Sequence, residues 1–338
     1  MRVFYSFTQP KGEKWLPKQI DIIQALRFLA AMLVVGVHLP PIGVGHFGVD
    51  LFFVLSGFIM AYTTAQRRPS ALEFLRKRVV RVVPLYWLMT FLVFAAVALV
   101  PQVAQGTSAT LAHLFQSLIF LPFDKNGMGH APVLFVGWTL NYEMLFYCLF
   151  ALALLIAPRH RIMVSAVLVT AIVLTCHGLE ARTQIFALRA WASPMMFEFV
   201  LGLMVWAVLP GNASPRLKLV LAGLVLFGFG FAALTGSMRL IEAGLPAALV
   251  LWGLLRFGSQ VQLPPGLTLL GDASYALYLT HPFVIRAIEA VADPFHQPLS
   301  VVWVALLCVA VSLAVHLWIE RPLTRVLQPA KKPKPLYP

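Results

Sequence analysis

The sequence predicts an all-α membrane protein: a bundle of about ten transmembrane helices with both termini in the cytoplasm. Of its 338 residues, 60% are hydrophobic and only 12% are charged, and the mean hydropathy is +0.83. A soluble domain carries about a quarter charged residues. Apolar runs of about 20 residues recur along the chain, and that length crosses a bilayer as a helix.

Ten apolar segments account for the predicted helices. They are 21–39, 48–65, 79–100, 135–157, 162–177, 188–208, 217–235, 239–256, 268–288 and 299–319. Another apolar segment, 111–123, is too short to cross the membrane, and we expect it to lie on or dip into the outer interface.

The basic residues predict the topology. The net charge is +13, from 26 lysines and arginines against 13 acidic residues. Most of the basic residues fall in alternate segments between helices, which the positive-inside rule assigns to the cytoplasm. Five are expected on the outer side: Lys125, Arg182, Arg189, Arg239 and Arg286. The basic excess therefore reflects topology, and no nucleic-acid partner is predicted.

Three regions are expected: a cytoplasmic leader at 1–20, the transmembrane domain at 21–325 and a basic, proline-rich cytoplasmic tail at 326–338. No cleavable signal peptide is recognised, so the first helix is expected to remain in the mature protein. The three cysteines show no metal or redox spacing and are interpreted as small hydrophobic residues.

The first helix combines a cation with a histidine. Arg27 and His38 are eleven residues apart, so they share one face about 16 Å apart along the axis. A charged residue inside an apolar span indicates a functional site by default. Asp50 begins the second helix, where it either stabilises the helix start through the dipole or orients His38.

The third helix begins with a basic cluster, FLRKRVVRVVPLYW (74–87). Arg78 and Arg81 lie three apart and share a face. Ordinary cytoplasmic anchoring is one explanation, but the basic residues from Arg67 to Arg81 exceed what anchoring needs. Because guanidinium groups suit phosphates, the cluster favours an anionic, phosphate-bearing substrate from the cytoplasm.

Three further polar residues lie within later spans. Glu143 is about two turns inside the fourth span, and Glu198 is near the middle of the sixth, as either a structural partner or a site residue. His281 lies in the ninth span, followed by Pro282, and is either a hydrogen-bonded core residue or a site residue. No histidine spacing favours a metal site, and no Gly-x-Ser-x-Gly motif is present.

Seven motifs in order resemble the acyltransferase-3 family of integral-membrane O-acyltransferases, and together they extend over nearly the whole chain. They are LRFLAAMLVVGVH (26–38), GVDLFFVLSGFIM (48–60), FLRKRVVRVVPLYW (74–87), WTLNYEMLFY (138–147), FEFVLGLM (197–204), GDASYALYLTHPFVI (271–285) and IERPLTR (319–325). Each motif is weak alone, but seven in family order are specific.

The resemblance implies transfer of an acyl group, usually acetyl from acetyl-CoA, to a hydroxyl of a surface glycan or glycolipid at the bacterial inner membrane. It implies acyl-CoA as donor, the lipid bilayer as environment and no metal. Arg27 and His38 match the family's essential arginine and histidine, Arg76 and Arg78 its Arg-x-Arg element, and Glu143 its glutamate. Many relatives carry a further SGNH hydrolase-like domain, and this chain resembles the stand-alone form.

A mechanism follows as an expectation. His38 acts as general base or carries the acyl group, and Glu143 or Asp50 holds its tautomer. Substrates are expected to contact six further residues: Arg27, Arg76, Arg78, Arg81, His281 and Glu198. The alternatives are a transporter or flippase of a lipid-linked glycan with intramembrane histidine and glutamate as a proton relay, and a receptor or assembly subunit without catalysis.

Overall fold

The computed structural model describes residues 16–39, 45–100, 110–124, 132–258, 263–292 and 300–328. The described residues form helices and contain no β-strand, which confirms the predicted all-α class. Most of the predicted leader and tail lies outside the described residues.

The α-helices, in chain order, are α1 Leu16–Val37, α2 Phe47–Arg67, α3 Ala71–Leu99, α4 Leu111–Leu118, α5 Trp138–Ile156, α6 Arg161–Thr183, α7 Phe186–Trp191, α8 Phe197–Val208, α9 Pro215–Leu234, α10 Leu245–Phe257, α11 Pro265–Asp272, α12 Ser274–Ala292, α13 Val301–Val315 and α14 Arg321–Leu327. Short 3₁₀ turns precede α5 and α8, and π-turns precede α10 and α14.

Each of the ten predicted spans contains helix. Within the described part of the chain, seven helices are long and apolar enough to cross a membrane, judged by length and composition. This supports a multi-pass membrane protein, while the number of crossings and the side of each terminus stay predictions.

Two predicted spans are each divided into two helices. In 188–208, α7 ends at Trp191 and a turn begins at Pro194, whose missing N–H makes it suited to a helix start. In 268–288, α11 ends at Asp272 and α12 starts at Ser274. Next to that break, a Cβ on Gly271 would lie 2.3 Å from the carbonyl oxygen of Gln24, so α11 approaches the α1 backbone closely.

The third helix begins earlier than predicted, at Ala71 rather than near residue 79. Ser70 is its N-cap, and the Ser70 side chain accepts a hydrogen bond from the Glu73 N–H at 3.2 Å. The whole basic cluster is therefore helical and continuous with the apolar part of α3.

The bundle centre lies between α2 and α8. A Cβ on Gly57 would lie 2.1 Å from the Phe199 carbonyl oxygen, and one on Gly202 would lie 2.1 Å from the Val54 carbonyl oxygen. Small residues allow helices to approach this closely in membrane proteins. Beside this contact the Phe199 ring stacks on Phe146 at a centroid distance of 4.3 Å, which links α8 to α5.

Candidate active site

Two histidines meet between α1 and α12. Nε2 of His281 lies 3.3 Å from Nδ1 of His38, and the ring centroids are 5.0 Å apart. His281 is fully buried, whereas His38 is partly exposed. The Phe135 ring lies 5.4 Å from the His38 ring, so the turn before α5 forms another wall of this histidine pair.

His38 directly follows the last residue of α1. Its Nδ1 lies 2.9 Å from the carbonyl oxygen of Val34, one of the carbonyls that a helix end leaves without an intrahelical donor. The side chain thus caps the helix that positions it. This contact fixes the ring plane of His38 relative to α1.

Tyr278 ties the His281 helix to the start of α5. Its hydroxyl donates to the Val136 carbonyl oxygen at 2.6 Å and lies 2.7 Å from the Thr139 hydroxyl. These bonds join α12, about one turn before His281, to the turn that contains Phe135. The histidine pair therefore sits in a frame built from three helices.

Glu143 belongs to a different hydrogen-bonded group deeper along α5. Its Oε1 accepts a hydrogen bond from Ser56 Oγ at 2.7 Å and a second from the hydroxyl of Tyr147. Both donors are neutral. Arg78 is close enough for its charge to act on Tyr147, which places the start of α3 near the same group.

A second polar network lies at the Arg27 end of α1. Arg27 donates to Gln24 at 3.0 Å, and Gln24 donates to the carboxylate of Asp272. Arg81 of α3 donates to the Asp272 carbonyl oxygen at 3.2 Å and forms an ion pair with Glu320. This network joins α1, α3, α11 and the π-turn that precedes α14.

These contacts fix the relative direction of the helices. Gln24 pairs with Asp272 at one level, and His38 pairs with His281 at the other, so α1 and the α11–α12 segment run parallel. Gln24, to which Arg27 is hydrogen-bonded, and His38 both contact the α11–α12 segment. This is what a shared face of Arg27 and His38 predicts.

The Arg-x-Arg element occupies the first turns of α3. Arg76 is exposed and donates to the Leu327 carbonyl oxygen at 3.3 Å. The Arg78 guanidinium lies over the Phe74 ring, 5.7 Å from its centroid. Nε of Arg78 is buried and has no hydrogen-bond partner among the described residues. Arg81, by contrast, has its charge matched by Glu320.

Tyr275 connects the two networks. Its hydroxyl donates to the Val82 carbonyl oxygen at 2.8 Å, and the charges of Glu143, Glu320 and Arg81 all act on it. The Arg81–Tyr275 contact is a cation–π arrangement at 5.8 Å. Tyr275, Tyr278 and His281 follow one another at three-residue spacing on α12, so polar side chains on one face of this helix lead from Arg81 to the histidine pair.

Asp50 and Glu198 lie in a separate cluster. Arg239 forms a two-pronged ion pair with Asp50, at 2.8 and 2.9 Å, and Glu198 lies beside Asp50. Both carboxylates are fully buried. The hydrogen-bond partners of His38 among the described residues are Val34 and His281, so the structure brings neither Asp50 nor Glu143 to it. The side chain that lies against the His38 ring is His281.

Sequence reasoning missed the partners of its charged residues. Tyr147 is four residues from Glu143, a spacing that places both on one helix face and was available as a signal. Ser56, Arg239 and Glu320 come from distant helices. Their pairing has no local sequence signal.

Comparisons with known proteins show the family to which the chain belongs. The family described as acyltransferase domain, Acyl_transf_3, matches residues 20–321. The chain is 34% identical over 301 residues to the exopolysaccharide production protein ExoZ of Rhizobium meliloti (strain 1021), covering 83% of this chain and 90% of ExoZ.

Two further relatives are more distant. The putative membrane-bound transacylase BcsY of Komagataeibacter xylinus is 28% identical over 328 residues, with 88% of this chain and 81% of BcsY covered. The acyltransferase MdmB of Streptomyces mycarofaciens is 29% identical over 286 residues, with 72% and 68% covered. No solved structure matches the chain. The protein is therefore a member of the acyltransferase-3 family and an O-acyltransferase enzyme.

Proposed function

We propose that the protein transfers an acyl group, acetyl in the first instance, from cytoplasmic acyl-CoA to a hydroxyl of an exported glycan or glycolipid at the bacterial inner membrane. ExoZ is named as an exopolysaccharide production protein, which supports a saccharide acceptor, and BcsY is named as a putative membrane-bound transacylase, which supports acyl transfer. The positive-inside bias supports entry of the donor at the arginine end.

One observation supports this function above the others: the polar face of α12, which leads from Arg81 through Tyr275 and Tyr278 to the histidine pair. Arg76 and Arg78 are suited to the phosphates of the donor, because guanidinium groups bind phosphate oxygens through two parallel hydrogen bonds. Arg81 is already paired with Glu320, so we assign phosphate binding to Arg76 and Arg78 and a structural role to Arg81.

The chemistry takes place at His38. Its imidazole removes the proton of the acceptor hydroxyl while the oxygen attacks the thioester carbonyl. The carbon–sulfur bond then breaks, and the CoA sulfur leaves with the proton that His38 held. In a covalent variant, His38 first accepts the acyl group and CoA departs as the thiol, and the acceptor hydroxyl then displaces the histidine. Both routes release one CoA for each ester formed.

The direct test uses purified protein in lipid nanodiscs, radiolabelled acetyl-CoA and a panel of bacterial exopolysaccharides. We expect label to enter a polysaccharide with release of one CoA thiol. His38→Ala should abolish transfer, whereas His160→Ala, at an exposed histidine before α6, should not. A transporter would move glycan without consuming thioester. Full activity of His38→Ala would remove His38 from the mechanism.

The acceptor is best identified in cells. Surface glycans from a strain lacking this protein should lose a mass of one acyl group per modified sugar, measured by mass spectrometry. Complementation with the wild-type chain, and not with His38→Ala, should restore it. Unchanged glycans in the deletion strain would contradict a glycan acceptor.

A further inference from the structure

We propose that His281 is a positioning residue for His38, and that it leaves Nε2 of His38 as the reactive nitrogen. This inference rests on the proposed function, because it concerns the nitrogen through which His38 acts. It assigns His281 a role toward another side chain, in place of the substrate contact that the sequence predicts.

The hydrogen of His281 is fixed first. Its Nδ1 lies 3.2 Å from the Leu277 carbonyl oxygen, and the Tyr278 carbonyl is a second backbone acceptor at this ring. The Tyr278 carbonyl is available because the residue four positions later, Pro282, has no N–H to donate. A carbonyl oxygen only accepts, so Nδ1 of His281 carries the hydrogen. In the neutral ring Nε2 is then an acceptor.

The hydrogen of His38 follows. Its Nδ1 faces the Val34 carbonyl oxygen at 2.9 Å and Nε2 of His281 at 3.3 Å. Both are acceptors, so Nδ1 of His38 carries the hydrogen, which the two acceptors share. Nε2 of His38 therefore holds the free lone pair. That nitrogen is the one able to take a proton or an acyl group.

His281 gives the Nδ1–H of His38 a second acceptor beside the Val34 carbonyl. When His38 takes a proton at Nε2, its Nδ1–H becomes a stronger donor, and the bond to His281 strengthens at the moment of reaction. A carboxylate performs this orienting task in the serine protease triad. A neutral imidazole achieves it here without placing another charge inside the membrane, where charge is costly.

The test separates loss of the acceptor from loss of packing. His281→Leu removes the acceptor, and His281→Gln places an amide oxygen near the position of Nε2. We expect His281→Leu to lower kcat by about 100-fold and to leave the KM for acetyl-CoA unchanged. This loss is smaller than the loss of kcat in a serine protease whose histidine has the wrong tautomer, because the Val34 carbonyl still accepts the hydrogen bond from His38. The kcat of His281→Gln should be at least about tenfold higher than that of His281→Leu, a difference that corresponds to roughly 1.4 kcal/mol.

A matched control is available on the same helix. Thr280 is buried next to His281, and its hydroxyl bonds only within α12, to the Ala276 carbonyl oxygen at 2.8 Å. Thr280→Val should therefore leave kcat near the wild-type value. Thermal unfolding of each variant monitors folding. If His281→Leu fails to fold, the comparison of His281→Gln with the wild type decides the question.

A spectroscopic measurement tests the tautomer itself. Nitrogen-15 chemical shifts of histidine-labelled protein distinguish Nδ1–H from Nε2–H rings, and His38→Ala identifies the His38 signals. We expect the Nδ1–H form in the wild type and a mixture in His281→Leu. An unchanged tautomer together with unchanged kcat in His281→Leu would overturn the inference. An inactive, folded His281→Gln with the wild-type tautomer would overturn it too. Activity of His38→Ala would instead overturn the proposed mechanism.

Discussion

Ser56 of α2 donates a hydrogen bond to Glu143 of α5 across 2.7 Å, and the two residues are 87 positions apart in the chain. Tyr147 donates to the same carboxylate oxygen. An ionisable group inside the membrane needs such partners. Together the two donors hold the Glu143 carboxylate in place, which makes Ser56 a residue to test.

Removing the donors to Glu143 should weaken both folding and catalysis. A hydrogen bond to a charged group contributes about 1.5–3 kcal/mol, so Ser56→Ala and Tyr147→Phe should each lower the unfolding free energy by about that amount. If Glu143 acts in the reaction, each should also lower kcat by about tenfold. Denaturant titration in detergent and initial-rate kinetics measure the two effects. Wild-type rates in the folded double variant would show that catalysis does not depend on the donors to Glu143.

Loss of the Arg78 guanidinium should weaken binding of the donor. We expect Arg78→Ala to raise KM for acetyl-CoA by about tenfold, the equivalent of one charge-assisted hydrogen bond, with little change in kcat. Arg159→Ala, at an exposed arginine before α6, is the matched control for general loss of charge. Comparing the KM values for acetyl-CoA and acetyl-dephospho-CoA shows whether Arg78 contacts the phosphate that the second donor lacks. An unchanged KM for both donors would contradict phosphate binding by Arg78.

Arg81 should behave differently from Arg78, because it is paired with the buried Glu320. Breaking a buried pair by removing one partner costs about 3–5 kcal/mol, and we expect the low end of this range since Arg81 is partly exposed. Arg81→Met should therefore lower the Tm, and adding Glu320→Gln should restore part of it. A double-mutant cycle of thermal unfolding measures the coupling. A raised KM for acetyl-CoA without loss of stability would contradict the structural role and indicate that Arg81 binds the phosphates of the donor.

Arg239 should be essential for stability, since it is the ion-pair partner of the buried Asp50. Arg239→Gln leaves Asp50 without its cation beside Glu198, and we expect a loss of about 3–5 kcal/mol. Adding Glu198→Gln should recover part of that loss by replacing the carboxyl group beside Asp50 with an amide that can donate a hydrogen bond to it. Glu198→Gln alone should be close to neutral. Denaturant titration of the four variants tests this, and absence of any recovery would show that the two carboxylates do not repel.

The same variant tests the predicted substrate role of Glu198. If Glu198 contacts the acceptor, Glu198→Gln should raise KM for the glycan while leaving KM for acetyl-CoA unchanged. If it serves only the Arg239 cluster, both constants should stay at their wild-type values. Steady-state kinetics with each substrate varied in turn separates the two cases.

The contact of α2 with α8 should not tolerate a methyl group. Gly202→Ala places a Cβ 2.1 Å from the Val54 carbonyl oxygen, and overpacking of this kind costs about 1–3 kcal/mol. Gly223→Ala in α9 is the control, because nothing lies within 4 Å of its Cβ position. There the gain in helix propensity favours the variant by about 0.5–1 kcal/mol. Thermal shifts of the same sign in both would contradict the close approach.

The sequence by itself determined the class of the protein and the positions of its helices. Apolar run length is a local property, so a membrane protein with helices in all ten predicted segments could be recognised without a structure. The shared face of Arg27 and His38 is likewise local, since both lie on or next to one helix of known period. The family resemblance rested on motifs that are read in the same local way, and the acyltransferase-3 match confirms it.

Which polar groups contact one another depends on the tertiary structure. His38 pairs with His281 across 243 positions, Arg81 with Glu320 across 239, and Asp50 with Arg239 across 189. Helical periodicity specifies which face a side chain occupies, but it carries no information about which helix packs against that face. For this reason the sequence allows Asp50 to be either a helix-start residue or the partner of His38, whereas in the structure Asp50 lies in the first turn of α2 and pairs with Arg239. The contact of His281 with His38 likewise has no local signal, and a substrate contact of His281 stays a prediction.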